Sequence, residues 1–205
     1  MKVIAINGSP KPKGNTFLTL QTVCEELAVQ SIESEIIHVG NMDLKGCIGC
    51  GQCKDGHCHF SDDKMKEIVN KIYEADGLII GSPVYYSGIA GTLKCFLDRL
   101  FYPNRGRMRL KVGAAIAVLR RSGGVATFDQ LNHYFLISDM MIAPSNYWNV
   151  VHGATPGEVL QDEEGISVMK DLASNMAWML QIKEYSKDAY PIPALTPRSR
   201  TNFIR

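Results

Sequence analysis

Val3-Ile4-Ala5-Ile6-Asn7-Gly8-Ser9-Pro10-Lys11-Pro12-Lys13-Gly14-Asn15-Thr16 opens the chain with an apolar run, a short loop, and the first residues of a helix-patterned segment. The run is apolar at every position, as a parallel strand covered on both faces requires. Gly8 and Gly14 permit a tight turn, and Ser9, Asn15 and Thr16 offer short polar side chains. The free N–H groups of a helix start point the same way, so backbone donors and helix dipole favour an anion there. An ordinary βα turn capped by Asn15 or Thr16 is the plainer reading; the convergence of three small polar residues favours the anion site. The spacing is neither G-x-x-x-x-G-K-[ST] nor G-x-G-x-x-G, which argues against a nucleoside triphosphatase and a dinucleotide Rossmann site.

Outward from this unit, β-like and helix-like segments alternate. Strands are predicted at residues 3–6, 34–39, 77–80 and 112–118, and a weaker fifth at 140–143 or 147–151. Between them, residues 16–29, 62–73, 91–101 and 127–137 carry apolar side chains at three- and four-residue spacing. A last helix over residues 163–184 has Ile166, Met169, Leu172, Met176, Met179 and Leu180 on a stripe that reads as core or dimer packing rather than a cofactor site. Alternation with right-handed crossovers predicts an α/β, flavodoxin-like fold: a doubly wound, five-stranded parallel sheet of order 2-1-3-4-5 with helices on both faces. The expected organisation is one domain, residues 1–189, and an extended tail, 190–205, whose Pro191, Pro193 and Pro197 exclude a regular helix. That tail is either frayed or an arm crossing a neighbouring subunit.

A second loop follows the third strand: Gly81-Ser82-Pro83-Val84-Tyr85-Tyr86-Ser87-Gly88-Ile89-Ala90-Gly91-Thr92-Leu93-Lys94. In the 2-1-3-4-5 order it lies beside the first loop, at the switch point where ligands bind. Tyr85 and Tyr86 supply aromatic surface for a flat ring, and backbone N–H groups could bond its polar edge. A third loop, Arg120-Arg121-Ser122-Gly123-Gly124, ends the fourth strand and completes the crevice. Arg120 and Arg121, like the cluster Arg105, Arg107, Arg109 and Lys111, read more readily as solvated strand and loop ends than as anion sites. An anion site with an aromatic slot alongside implies a mononucleotide with a flat ring.

The long connection at residues 40–60 holds four of the six cysteines, Cys47, Cys50, Cys53 and Cys58, spaced C-x2-C-x2-C-x4-C. A chain of 205 residues buries about 70% of its unfolded surface and needs no metal or disulfide merely to fold. Four thiolates in one glycine-rich loop suit a cubane iron–sulfur cluster. A tetrahedral zinc site with His57 or His59 as substitutes, a metal-free Cys47–Cys50 dithiol, and cysteines that hold no metal compete with it. Cys24 and Cys95 read as buried small hydrophobes. His57 and His59 read as solvated rather than as ligands. His38, His133 and His152 are isolated from any hydrolytic triad, and Asp62, Asp63, Asp98 and the Asp162–Glu164 run read as caps or solvated faces.

The Gly-Ser-Pro…Gly-Asn-Thr loop, the Ser-Pro-Val-Tyr-Tyr…Gly loop and Leu93-Lys94-Cys95-Phe96-Leu97-Asp98-Arg99 resemble the NADPH-dependent FMN reductase family, most closely its iron–sulfur flavoprotein branch. The resemblance covers at least residues 1–136. It implies that Ser9, Lys11, Lys13, Asn15 and Thr16 hold the FMN phosphate, and that Pro83, Val84, Tyr85, Tyr86, Ser87 and Gly88 wrap the isoalloxazine. Ser122, Gly123 and Gly124 would touch its far side, and Cys47, Cys50, Cys53 and Cys58 would ligate a 4Fe–4S cluster. It also implies a homodimer or homotetramer.

A net charge of +1 supplies no field to recruit nucleic acid or an anionic membrane. The opening apolar run ends too soon for a secretory signal, and no apolar stretch approaches a membrane span, so a cytoplasmic location is expected. The expectation is therefore an oxidoreductase in which electrons pass between FMN and the cluster, with no side chain as catalytic acid or base. NAD(P)H or a ferredoxin would be the donor, and a quinone, an oxygen species or another protein the acceptor. Its rivals are a cluster-free NAD(P)H-dependent FMN or quinone reductase, a flavodoxin-type carrier, which the near-neutral charge fits poorly, and a zinc-stapled interaction module.

Overall fold

The structure, a computed structural model, describes residues 1–205 except Arg198, Arg200 and Arg205 and the side chain of Arg105. Those three tail arginines, and the first side chain of the Arg105–Lys111 basic cluster, lie outside the described residues.

The chain runs β1 (Lys2–Asn7), α1 (Asn15–Val29), β2 (Glu33–His38), α2 (Asp63–Glu74), β3 (Gly77–Tyr85), β4 (Gly88–Ile89), α3 (Gly91–Asn104), β5 (Val112–Leu119), α4 (Gly124–Ile137), β6 (Met141–Ile142), β7 (Val150–His152) and α5 (Glu163–Ser186). The sheet has the order β2-β1-β3-β5-β6, with β4 antiparallel to β3 and β7 parallel to β5. The doubly wound parallel class is as expected, but the sheet has seven strands rather than five.

Two local features account for the difference. The fifth position is divided between β6, paired with Val112 and Gly113, and β7, paired with Ala117–Leu119. Pro144 follows β6 and has no N–H for the ladder. Across the gap the Asn149 side chain donates to the Ala115 carbonyl at 3.0 Å, standing in for a strand partner. The second feature is the short hairpin that folds β4 back on the end of β3.

Side-chain alternation assigns the layers. Val3 and Ala5 of β1, Ile79 of β3, and Val112, Ala114, Ile116 and Val118 of β5 pack against α1 and α5. Ile4, Ile6, Leu78, Ile80 and Ala115 point the other way, against α2, α3 and α4. Met169, Leu172, Met176 and Leu180 of α5 are buried, so its methionine stripe is core. Asn7 at the end of β1 is level with His38 of β2 and Gly81 of β3, and Pro83 with Val118 of β5. The loops after β1, β3 and β5 therefore emerge together at the carboxyl edge, where open α/β sheets bind ligands.

Candidate functional site

The first loop is shaped from below by buried polar groups. Asn7 donates to the Pro12 carbonyl at 3.0 Å and accepts from the Ser9 N–H at 3.1 Å. Ser9 Oγ accepts from the Lys11 N–H at 3.1 Å, and the His38 ring bonds the Ser9 carbonyl at 2.7 Å. Gly40 presses on the same carbonyl so closely that a Cβ there would overlap it. His38 is therefore a support of the loop, through a backbone carbonyl and not through a triad. Gly14 is the N-cap of α1 and no side chain caps the helix, which leaves its first N–H groups available to an anion. Neither Asn15 nor Thr16 is the cap.

Ser9, Lys11, Gly14, Asn15 and Thr16 share one hollow of about 260 Å³ with Pro83, Val84 and Tyr85. The Asn15 amide is engaged at both ends, donating to Thr155 O at 3.0 Å and accepting from Gly157 N at 2.8 Å. It thus pins the loop after β7 over the hollow, which Ser9, Lys11 and Thr16 also line. Lys13 is exposed and does not line this space. Arg120, Gly153, Ala154 and Pro156 do line it, and none was anticipated as a site residue. The paired arginines closing β5 were the only signal for Arg120; Gly153 follows β7, near the strand expected at 147–151, in a loop that carries no motif. Glu158 stands nearby, its carboxyl held low first by the Thr155 and Ala154 N–H groups and, more weakly, by Arg120.

Tyr85 pairs with Gly88 across a two-residue turn in which Tyr86 and Ser87 have φ of 52° and 58°. Both centres of such a turn need left-handed backbone, which side chains other than Gly, Asn and Asp rarely accept. Strain of this kind collects at ligand sites. Gln130 donates to the Ser87 carbonyl at 3.2 Å, and Gly123 sits against Ser87 so tightly that a Cβ would meet its Oγ at 2.7 Å. Ser122, Gly123 and Gly124 line a second hollow of about 500 Å³ with Tyr147, Trp148 and His152. Leu119 is common to both hollows. The three loops are thus brought together, with Tyr85 and Tyr86 exposed beside them.

Cys47, Cys50, Cys53 and Cys58 line one cavity of about 510 Å³. Cys47 and Cys50 are exposed, Cys53 is half-buried and Cys58 is buried. Gly49 and Gly51, on either side of Cys50, have φ of 64° and 71°, a backbone that only glycine adopts freely. Lys54 and His57 exchange backbone hydrogen bonds at 3.1 and 2.8 Å around Asp55 and Gly56, both left-handed. This is an Asp-Gly hairpin turn, a signal that reading the loop only for its cysteines passes over. The Tyr73 hydroxyl donates to the Gly56 carbonyl, with Arg107 4.9 Å above its ring. His57 bonds Asn70 at 3.1 Å and is half-buried rather than solvated. Cys24 and Cys95 are only half-buried. Asp62 and Asp162 cap α2 and α5, while Asp98 accepts from Lys94 at 2.7 Å and from Tyr134.

Burial pushes the Cys53 thiol up, and Cys58, Cys50 and Cys47 add repulsion to it in that order. Among the described residues, no three His, Cys, Asp or Glu side chains converge tightly enough to hold a single ion. A cubane gives each thiolate its own iron and requires sulfurs around a cavity rather than at a point. The donor set and cavity therefore fit such a cluster. Among the described residues no helix is long and apolar enough to cross a membrane.

The family described as NADPH-dependent FMN reductase matches residues 1–155. An iron-sulfur flavoprotein of Methanocaldococcus jannaschii is 38% identical over 191 residues, covering 89% of this chain and 98% of its own. Among solved structures, RosB with bound 8-demethyl-8-formylriboflavin-5'-phosphate superposes with a TM-score of 0.73 at 13% identity, over 100% of this chain and 94% of its own. A flavodoxin from the domain Archaea superposes at 0.59 with 15% identity, over 88% and 99%. At such identities the structural likeness establishes the flavodoxin-like fold alone.

Proposed function

Because the chain belongs to the NADPH-dependent FMN reductase family, we propose that it holds FMN at the carboxyl edge and a 4Fe–4S cluster on its cysteine loop, and that electrons pass between the two. Membership makes it a flavin-dependent oxidoreductase; the cluster and the electron path are the further step. The observation carrying that step is the placement of four thiols around one cavity, on a loop that packs against the helix leading out of the flavin hairpin.

Ser9, Lys11, Thr16 and the uncapped start of α1 receive the phosphate, and Arg120 adds a second positive charge. Lys13, on the exposed part of the same loop, steers the anion from solvent. Asn15 acts at one remove, by fixing the Thr155–Gly157 turn. Pro83, Val84 and Tyr85 wall the ring, Tyr86, Ser87 and Gly88 bring backbone groups to its edge, and Ser122, Gly123 and Gly124 close its far side. FMN, when bound, supplies one- and two-electron chemistry, and the protein contributes binding and orientation. No side chain is required as acid or base. The donor is NAD(P)H or a ferredoxin and the acceptor a quinone, an oxygen species or a protein.

Purification without oxygen, with absorption spectra and iron and sulfide assays on one sample, tests this reading. Flavin bands with roughly four irons per chain, as a single cubane demands, are the expected result. Flavin without iron would leave a cluster-free reductase, and the absence of flavin even after its addition would overturn the whole reading.

A further inference from the structure

Arg99 lies on α3, two turns after the flavin hairpin, and is only 5% exposed. Its side chain lines the cysteine cavity together with Cys47, Cys50, Cys53 and Cys58. Nη2 donates to the Phe60 carbonyl at 2.5 Å, at the far end of the loop, and Nη1 approaches the Lys45 carbonyl, at its near end, at 3.5 Å. Nε is buried without a partner. Among the described residues no carboxylate pairs with this guanidinium; Asp43, which also lines the cavity, is solvent-exposed.

A buried guanidinium held only by carbonyl dipoles is costly, because burial penalises a charge that lacks a counter-ion. A core alternative would be an apolar side chain, and neighbouring Phe96, Leu97 and Leu100 are of that kind. The missing anion has an obvious source in the same cavity. Four thiolates carry more negative charge than an iron–sulfide core offsets, and each one-electron reduction adds one more. A fixed positive charge at the wall stabilises the reduced state more than the oxidised one, with no proton moving.

We propose that Arg99 is the counter-charge of the cysteine loop, a positioning residue that fastens the Phe60 end of the loop and raises the reduction potential of the cluster it holds. The inference rests on the cluster reading above. Its position on α3 places that charge on the helix joining the flavin hairpin to the loop.

The test compares anaerobically purified full-length wild type, Arg99→Gln and Arg99→Lys, each assayed for iron, sulfide and FMN. Paramagnetic resonance follows the cluster during reductive titration with dithionite and mediators. Arg99→Gln should make reduction at least tenfold less favourable, about 59 mV for one electron. Arg99→Lys, which keeps the charge but loses the planar fork, should shift by less than half of that. The flavin midpoint should stay unmoved in both. A cluster reduction equilibrium in Arg99→Gln within threefold of wild type, or equal shifts in the two variants, would overturn the proposal. Should Arg99→Gln hold less iron than wild type after purification, release of the remaining iron to a chelator decides instead: slower loss from Arg99→Lys than from Arg99→Gln and Arg99→Met supports the charge, and equal loss refutes it. Wild type without iron and sulfide sinks the cluster reading itself, whereas a wild-type cluster with an indifferent Arg99→Gln sinks only this inference.

Discussion

Tyr73 ties the cysteine loop to the body of the protein through one hydroxyl, and the same hydroxyl carries a pH signature. Burial pushes its ionisation up to about 12, against a smaller opposing pull from Arg107. Tyr134, half-buried and bonded to Asp98, is likewise pushed up to about 12, first by burial. Unfolded tyrosine ionises near about 10. Between those values the folded chain retains protons that the unfolded chain releases, so this contribution is complete below about pH 10 and is lost as pH rises towards 12. Tyr73→Phe should cost about 1 kcal/mol at neutral pH, through loss of the Gly56 bond. It should also make the alkaline fall in the urea midpoint shallower than in wild type; equal slopes would contradict the assignment. Gly40 makes a second single-residue case. Gly40→Ala drives a methyl group into the Ser9 carbonyl, and because the obstacle is backbone, a cost of about 1–3 kcal/mol is expected. FMN affinity, measured by fluorescence quenching, should fall with it, and unchanged affinity would mean that the loop can shift freely. At this scale Ser9, Lys11 and Thr16, expected from one loop of the sequence, line one hollow, because they lie within eight residues of each other. Asn7, His38 and Gly40 were hidden, because their contacts cross from one strand to the next and leave no spacing to read.

Among elements, the long ones were the most legible. Helices over 16–29 and 163–184 were expected, and Asn15–Val29 and Glu163–Ser186 are present, since both repeat apolar positions over at least four turns. What the pattern could not reveal is pairing that depends on side chains outside the strand, as where Asn149 serves Ala115 between β6 and β7. Nor did it show that Tyr86 and Ser87 turn a hairpin, because neither residue favours a left-handed turn. That mismatch is itself testable. Ser87→Gly removes the penalty on one left-handed residue and should stabilise the ligand-free protein by roughly 1 kcal/mol. The same change frees the turn from Gly123, so flavin should bind more weakly although the fold is stronger. Thermal denaturation with and without FMN separates the two effects. A Ser87→Gly protein that is less stable without ligand would mean that the hairpin is not under strain.

For the whole molecule, two cores lie on opposite faces of one sheet, and α3 links two of the candidate regions, beginning just after the β3–β4 hairpin and passing Arg99 beside the cysteine loop. The opposite face of α5 has no such occupation. Trp178, Ile182 and Tyr185 stand on it at four- and three-residue spacing, all exposed, while Met176 and Leu180 fill the core behind. Tyr190, Pro191, Ile192 and Pro193 of the tail continue this apolar region, and Arg109 holds the Pro193 carbonyl at 2.8 Å. A contiguous apolar stripe of this kind is characteristic of an interface rather than of free surface. The expected state is therefore a homodimer or homotetramer in which α5 and the tail take part. Truncation before Tyr190 should lower the mass seen by light scattering from a multiple of 22.7 kDa towards that of one chain. Trp178→Glu, which leaves the tail in place, should do the same by burying a charge in the contact. Flavin content, followed in the same samples, tells whether assembly also closes the crevice. If both variants keep the wild-type mass and flavin, neither α5 nor the tail forms the interface, and the exposed stripe must serve some other contact.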